Sequence, residues 1–160
     1  MSISRTLKEY LDREHVHYEV LPHPEAFRAV AIAHALHTPE QEMAKVVIVK
    51  VENRLMMTVL PASWIVDLHR LRDVFNTNHV RLATEEEFKG LFPDCELGAM
   101  PPFGTLYGLP VFVDQSLTGD KEIVFQAGTH SEAIRMRYMD FAMLVFPVVE
   151  EFHRSPSAVW

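Results

Sequence analysis

The sequence predicts a mixed α/β domain, one mixed β-sheet flanked by helices. Three observations lead there. KVVIVKV at 45–51 is an apolar, β-branched run with almost no polar break, the signature of a buried strand. Amphipathic stretches with helical spacing alternate with extended runs along the chain. Some strands follow each other too closely for helical crossovers, so hairpins are present and a purely parallel sheet is excluded. With 160 residues, 48% of them apolar, the chain makes one domain with a substantial core.

The elements follow in order. Ser4 to His15 reads as a helix, with Ser4 as N-cap and Leu7, Tyr10 and Leu11 on one face. Tyr18–Leu21 is extended and ends at Pro22. A second helix spans Glu25 to His37, with Ala26, Ala29, Val30, Ala33, Leu36 and His37 on one side and Pro39 as its stop. Lys45–Val51 turns through Glu52-Asn53-Arg54 into Leu55–Leu60, a hairpin. Asp67–Phe75 is a helix and His79–Ala83 a short strand. Thr84 with Glu87 makes a capping box. Pro110–Asp114, Glu122–Ala127 and 132–137 are strands, and Tyr138, Phe141, Ala142 and Val145 support a last helix. The end, HRSPSAVW, reads as loose, so the domain is taken as 1–150 with a tail over 151–160 and the order of Trp160 open.

Composition narrows the function. One cysteine, Cys95, excludes an intramolecular disulfide. The charged N-terminus lacks the apolar core of a secretory signal, and no apolar run reaches membrane-spanning length, so a cytoplasmic location without membrane partners is expected. A net charge of −7 argues against broad nucleic-acid binding. Recognition of one RNA end stays open through local cations: Lys45, Lys50, Arg54, Arg70, Arg72, Arg81, Arg135 and Arg137. No phosphate loop, dinucleotide fingerprint or G-x-S-x-G elbow is present.

The most informative stretch is Gly98-Ala99-Met100-Pro101-Pro102-Phe103-Gly104. Two glycines bracket two prolines, which makes a stiff apolar loop. The N–H groups of Gly98, Ala99, Met100, Phe103 and Gly104 are available to an acceptor; the alternative is a plain tight connection. Lys45 opens the buried strand in line with Val47 and Val49. It is either a strand-end lysine reaching solvent or a cation aimed into a pocket. His130, in Gly128-Thr129-His130-Ser131, follows a strand and is able to donate, accept or bind a metal. His23 sits between Pro22 and Pro24. His34 and His37 are three apart on a helix, but no third ligand has a recognisable spacing, so no metal site and no cofactor is expected. Cys95 with His130 is a candidate nucleophile pair, for which a single buried-type cysteine near a proline is weak evidence.

HPEAFRAVAIAHAL at 23–36, AKVVIVKV at 44–51, GAMPPFG at 98–104 and VFQAGTHSEAIRM at 124–136 resemble, in this order, the YbaK/EbsC family, the prolyl-tRNA synthetase-associated editing domains. The resemblance covers roughly Thr6 to Val145, and its most specific marks are the strand-opening lysine and the G-x-x-x-P loop from Gly98 to Pro102. It implies a compact mixed α/β fold with a barrel-like sheet. It also implies hydrolysis of the ester joining a wrong amino acid to tRNA, often alanine or cysteine on tRNA for proline. Under it, Lys45, Gly98, Pro102 and His130 match the functional positions. His23, Phe27, Ala99, Met100, Pro101, Phe103 and Gly104 are expected to line the substrate pocket. The family's terminal-adenosine 2′-hydroxyl, thought to help activate water, fits a chain with no evident nucleophile–base pair. The chain carries no synthetase body or anticodon-binding module, so it is expected to act free-standing or with a synthetase or other tRNA-binding partner. Oligomeric state is not legible. The competing readings are a non-catalytic module that binds an amino acid or RNA end, a hydrolase of free esters or amides, and a metal-dependent hydrolase.

Overall fold

The computed structural model describes residues 2–156. Helix α1 (Arg5–Arg13) starts where Ser4 accepts the Leu7 N–H, and it buries Leu7 and Leu11 completely. Strand β1 (Tyr18–Pro22) follows, then helix α2 (Ala29–Ala35). The expected helix over 25–37 is therefore shorter at its start. His23 N–H donates to the Ser131 carbonyl and Ala26 N–H to the His130 carbonyl. Residues 23–28 bond across to a distant turn instead of along a helix.

Strands β2 (Ala44–Val51) and β3 (Arg54–Pro61) form the expected hairpin, with Val51 opposite Arg54. Glu52 takes the left-handed conformation in its turn. A two-residue strand β4 (Ile65–Val66) leads into helix α3 (Leu68–Phe75), capped by Asp67. Strand β5 (Val80–Leu82) precedes helix α4 (Glu85–Phe88), which carries the Thr84/Glu87 capping box. Beyond the proline-rich loop come β6 (Val111–Asp114), β7 (Glu122–Thr129), β8 (Glu132–Arg137), α5 (Tyr138–Val145), β9 (Val148–Glu150) and β10 (His153–Arg154).

The strands form a mixed five-stranded sheet, β5-β2-β3-β6-β9, a three-stranded antiparallel sheet, β1-β8-β7, and the small pair β10-β4. In the large sheet β2 is antiparallel to β3 and β5, while β6 runs parallel to β3 and β9 to β6. The two larger sheets touch through a parallel bridge between Met43 and Val124, reinforced by Val124 N–H donating to the Glu42 carbonyl. The sheets thus meet at one corner without closing a barrel. The main core fills the space between them, with Ile48, Val59 and Val113 from one sheet against Ile123, Phe125 and Ile134 from the other. Smaller cores lie under α2 and α3.

The segment read as loose is fastened at its start. Phe152 is fully buried, and the buried Asp114 carboxylate accepts from the Phe152 N–H and from His153 Nδ1. Trp160 lies outside the described residues. Among the described residues no helix is long and apolar enough to cross a membrane.

Candidate functional site

The corner where the sheets meet leaves a cavity of about 140 Å³, lined by Phe27, Ala29, Ala44, Lys45, Val46, Gly98, Met100 and Gln126. The start of β2, the start of α2, the middle of β7 and the proline-rich loop each supply a wall. The volume is well below the ~300–1,000 Å³ of a pocket for a drug-sized ligand. It suits a compact group such as one small amino acid.

Lys45 is half-buried at this wall. Burial, then the neighbouring positive charge of Arg28, push its pKa below the ordinary 10.5. Among the described residues its ammonium has no hydrogen-bond or ion-pair partner. Several other cations are paired with carboxylates. Lys50 and Arg81 both end on Glu87, and Arg137 is held by Asp140. A partly desolvated cation without a counter-ion is costly unless a ligand supplies one. The strand-opening lysine is therefore a cation at a cavity.

The loop is pinned to β7 by reciprocal bonds. Glu96 N–H donates to the Gly128 carbonyl, Gly128 N–H to the Ala99 carbonyl, and Gln126 Nε2 reaches the Gly98 carbonyl at 3.4 Å. Gly128 has φ +96°, and a Cβ there would lie 2.8 Å from Ser4 Cβ, so only glycine fits this approach to α1. Gly98 also has positive φ, +88°, and faces the His130 ring. Of the loop amides, that of Gly98 points at Met100 Sδ (3.3 Å) and that of Ala99 bonds the Glu96 carbonyl. The Met100 N–H has no partner among the described residues.

His130 is buried beside this loop. Its Nε2–H donates to the Leu97 carbonyl at 2.9 Å and lies 3.8 Å from Glu96 Oε2, while Nδ1 is buried without a partner. The exposed Phe27 ring (63%) covers it, with ring centroids 4.5 Å apart. His23 is buried on the adjoining segment, its Nδ1–H donating to the Pro24 carbonyl and its Nε2 unpaired.

The structure thus gathers Lys45, Gly98, Met100 and Phe27 on one cavity, with His130 behind Gly98 and Phe27. Ala99, Pro101 and Pro102 are buried supports of the loop and not part of the lining. Phe103 and Gly104 turn the other way. Phe103 packs against Tyr10, Phe125 and Phe141 in the core, and a Cβ on Gly104 would meet Val111 and Met57 at 3.0–3.1 Å. Cys95 contacts Tyr107 and Asp94, and burial pushes its thiol up to about 11, too high for a thiolate nucleophile near neutrality. His34 pairs with Glu40. Sequence reasoning missed Gln126 and Arg28. Gln126 carried a signal: it is the one polar side chain inside the apolar run Ile123–Ala127, on the strand face opposite Phe125 and Ala127.

The aminoacyl-tRNA editing domain family matches residues 23–144, which contain every lining residue of this cavity. The chain belongs to that family. Solved structures share the fold of this editing domain. One is the hypothetical protein APE2540, 18% identical, with a TM-score of 0.83 over 94% of this chain and 100% of that one. Another is described as a candidate trans-editing enzyme for prolyl tRNA synthetase, 22% identical, TM-score 0.80, covering 95% and 97% of the two chains. A third, a signal transduction candidate from Marinobacter aquaeolei VT8, is 14% identical with a TM-score of 0.74, and the editing domain covers only 31% of it. At these identities the likeness is one of fold. No curated protein matches the chain.

Proposed function

We propose that this editing domain hydrolyses the ester of a mischarged tRNA, with tRNA for proline carrying a small wrong amino acid such as alanine or cysteine as the substrate. The observation that carries the reading is the unpaired Lys45 ammonium at the wall of a cavity sized for one small amino acid. The cavity takes the aminoacyl group and is too small for a nucleotide, so the terminal adenosine lies outside, beside Phe27 and Arg28.

An aminoacyl ester is already activated, so positioning a water and stabilising the oxyanion suffice. Water attacks the carbonyl carbon, aided by the substrate's own free ribose hydroxyl. The oxyanion that forms is met by the Met100 N–H. Collapse breaks the bond between the carbonyl carbon and the ribose oxygen, which takes up a proton, and free amino acid and uncharged tRNA leave. Lys45 binds the phosphate of the terminal nucleotide or orients the ester. His130, fixed by Leu97 and Phe27, shapes the wall beside Gly98 and is not the base. Pro101 and Pro102 hold the loop stiff behind it. Because most surface cations are neutralised by neighbouring carboxylates, intrinsic tRNA affinity is low, and a synthetase or another tRNA-binding partner in the cytoplasm supplies tRNA selection. Turnover of a mischarged tRNA that falls by at least about tenfold in Lys45→Met tests this reading. Binding of the RNA end without turnover would assign the cavity to a non-catalytic module.

A further inference from the structure

Buried polar atoms in folded proteins are nearly always hydrogen-bonded, and each exception asks for an explanation. Four buried side-chain atoms among the described residues have no partner in the protein: His23 Nε2, Gln126 Oε1, His130 Nδ1 and Asp120 Oδ2. The first three belong to the segments that frame the cavity. All three are acceptors. His23 and His130 spend their ring protons on the Pro24 and Leu97 carbonyls, so their other nitrogens carry lone pairs. Gln126 turns its Nε2 toward the Gly98 carbonyl, which leaves Oε1 as the free end. No carboxylate lines the cavity. Of the three acceptors, only Gln126 lines the cavity, so the side chains of its polar wall offer one cation, Lys45, and one unpaired acceptor, Gln126 Oε1, which awaits a donor from a ligand.

We propose that Gln126 Oε1 receives the α-amino group of the aminoacyl substrate. The inference rests on the deacylase reading above and adds which part of the substrate is read. An α-amino group donates whether protonated or neutral. Lys45 and Arg28 disfavour a second cation here, so a neutral amide is better suited than a carboxylate to accept from either form. Gln126 is 8% exposed and lines the cavity beside Gly98 and Met100. Its bond to Gly98 is long, at 3.4 Å, and the terminal amide torsion of glutamine is soft, so a small rotation brings Oε1 to the cavity surface. The acceptor left unmade in the free protein is satisfied only when substrate is bound, and this favours esters that carry an α-nitrogen donor.

The test compares alanyl and propionyl esters on the same tRNA, each rate divided by its spontaneous hydrolysis rate. Propionyl lacks only the amino group. Wild type is expected to prefer alanyl. Gln126→Met keeps the length and removes both polar atoms; it should lower kcat/KM for the alanyl ester on the order of ten- to a hundredfold and leave the propionyl ester within about threefold. Gln126→Glu keeps an acceptor while losing the Nε2–H bond to Gly98, and it should retain the alanyl preference. A residue that merely holds the loop would lower both esters alike in both variants, and that result overturns the proposal, as does an unchanged alanyl rate in Gln126→Met. If wild type hydrolyses neither these esters nor any other mischarged tRNA, the deacylase reading itself falls and takes this inference with it.

Discussion

Replacing Lys45 with methionine should separate function from stability. The side chain keeps its length and loses its charge. In the free protein that charge is half-buried, lies near Arg28 and has no partner, so removing it should leave the fold unharmed or stabilise it by up to about 1 kcal/mol. In the proposed complex the same ammonium would make a charge-assisted hydrogen bond to the substrate, worth about 1.5–3 kcal/mol. At about 1.36 kcal/mol per tenfold, kcat/KM should fall roughly 10- to 150-fold. Deacylation of mischarged tRNA and urea unfolding of the two proteins would be measured together. The unfolding comparison also has a pH dependence. The folded-state pKa of Lys45 is lowered from 10.5, so the charged form burdens the native state fully at neutral pH. That burden lifts as pH rises through the lowered value toward 10.5, because over this window the unfolded chain binds more protons. Any stability advantage of Lys45→Met should therefore shrink as pH approaches 10.5. Deacylation within about threefold of wild type, or a clear loss of stability at pH 7, would refute the reasoning.

Three other perturbations follow from the same geometry. Gly98→Ala places a side chain at φ +88° with its Cβ 3.6 Å from His130 Cε1; thermal unfolding should report about 1–2 kcal/mol of lost stability, and turnover should drop through the displaced cavity wall. Burial raises the Asp94 pKa, but hydrogen bonds from Ser4, the Thr6 N–H and Tyr107 outweigh it and hold the carboxyl below its usual range. Asp94→Asn should then cost about 1–2 kcal/mol at pH 7, a gap that persists at pH 4 and closes only as pH falls through the lowered native pKa. Met100 separates the cavity from an apolar hollow of about 80 Å³ beside Cys95 and Leu97; Met100→Ala should join the two and raise hydrolysis of a larger ester, such as valyl, about tenfold or more relative to alanyl.

The parts of the fold that local pattern controls were legible. The β2–β3 hairpin, α1 with its Ser4 cap and the Thr84/Glu87 capping box all follow from residues close in sequence. The start of α2 was not, because the amides of His23 and Ala26 are claimed by residues 131 and 130, more than a hundred positions away. Strands β4, β9 and β10 are two or three residues long, too short to show alternation, and β10 depends on Asp114 holding Phe152 and His153. Lys45, Gly98 and Met100 were identifiable as site candidates from residue type and from the resemblance. Which side of the loop faces the cavity was not, and Phe103 turned inward to three aromatic neighbours. Gln126 was overlooked because a single polar residue in an apolar strand has no motif. Its meaning appears only when its amide is seen bonded to Gly98 with Oε1 left over.

The most direct test of the account is hydrolysis of tRNA for proline carrying alanine, cysteine, serine or proline, together with matched cognate pairs, by wild type and Lys45→Met side by side. The account predicts turnover of a small wrong amino acid, sparing of cognate pairs, and loss in the variant. Failure of the folded wild type to turn over any of these esters, or equal turnover by the variant, would contradict it.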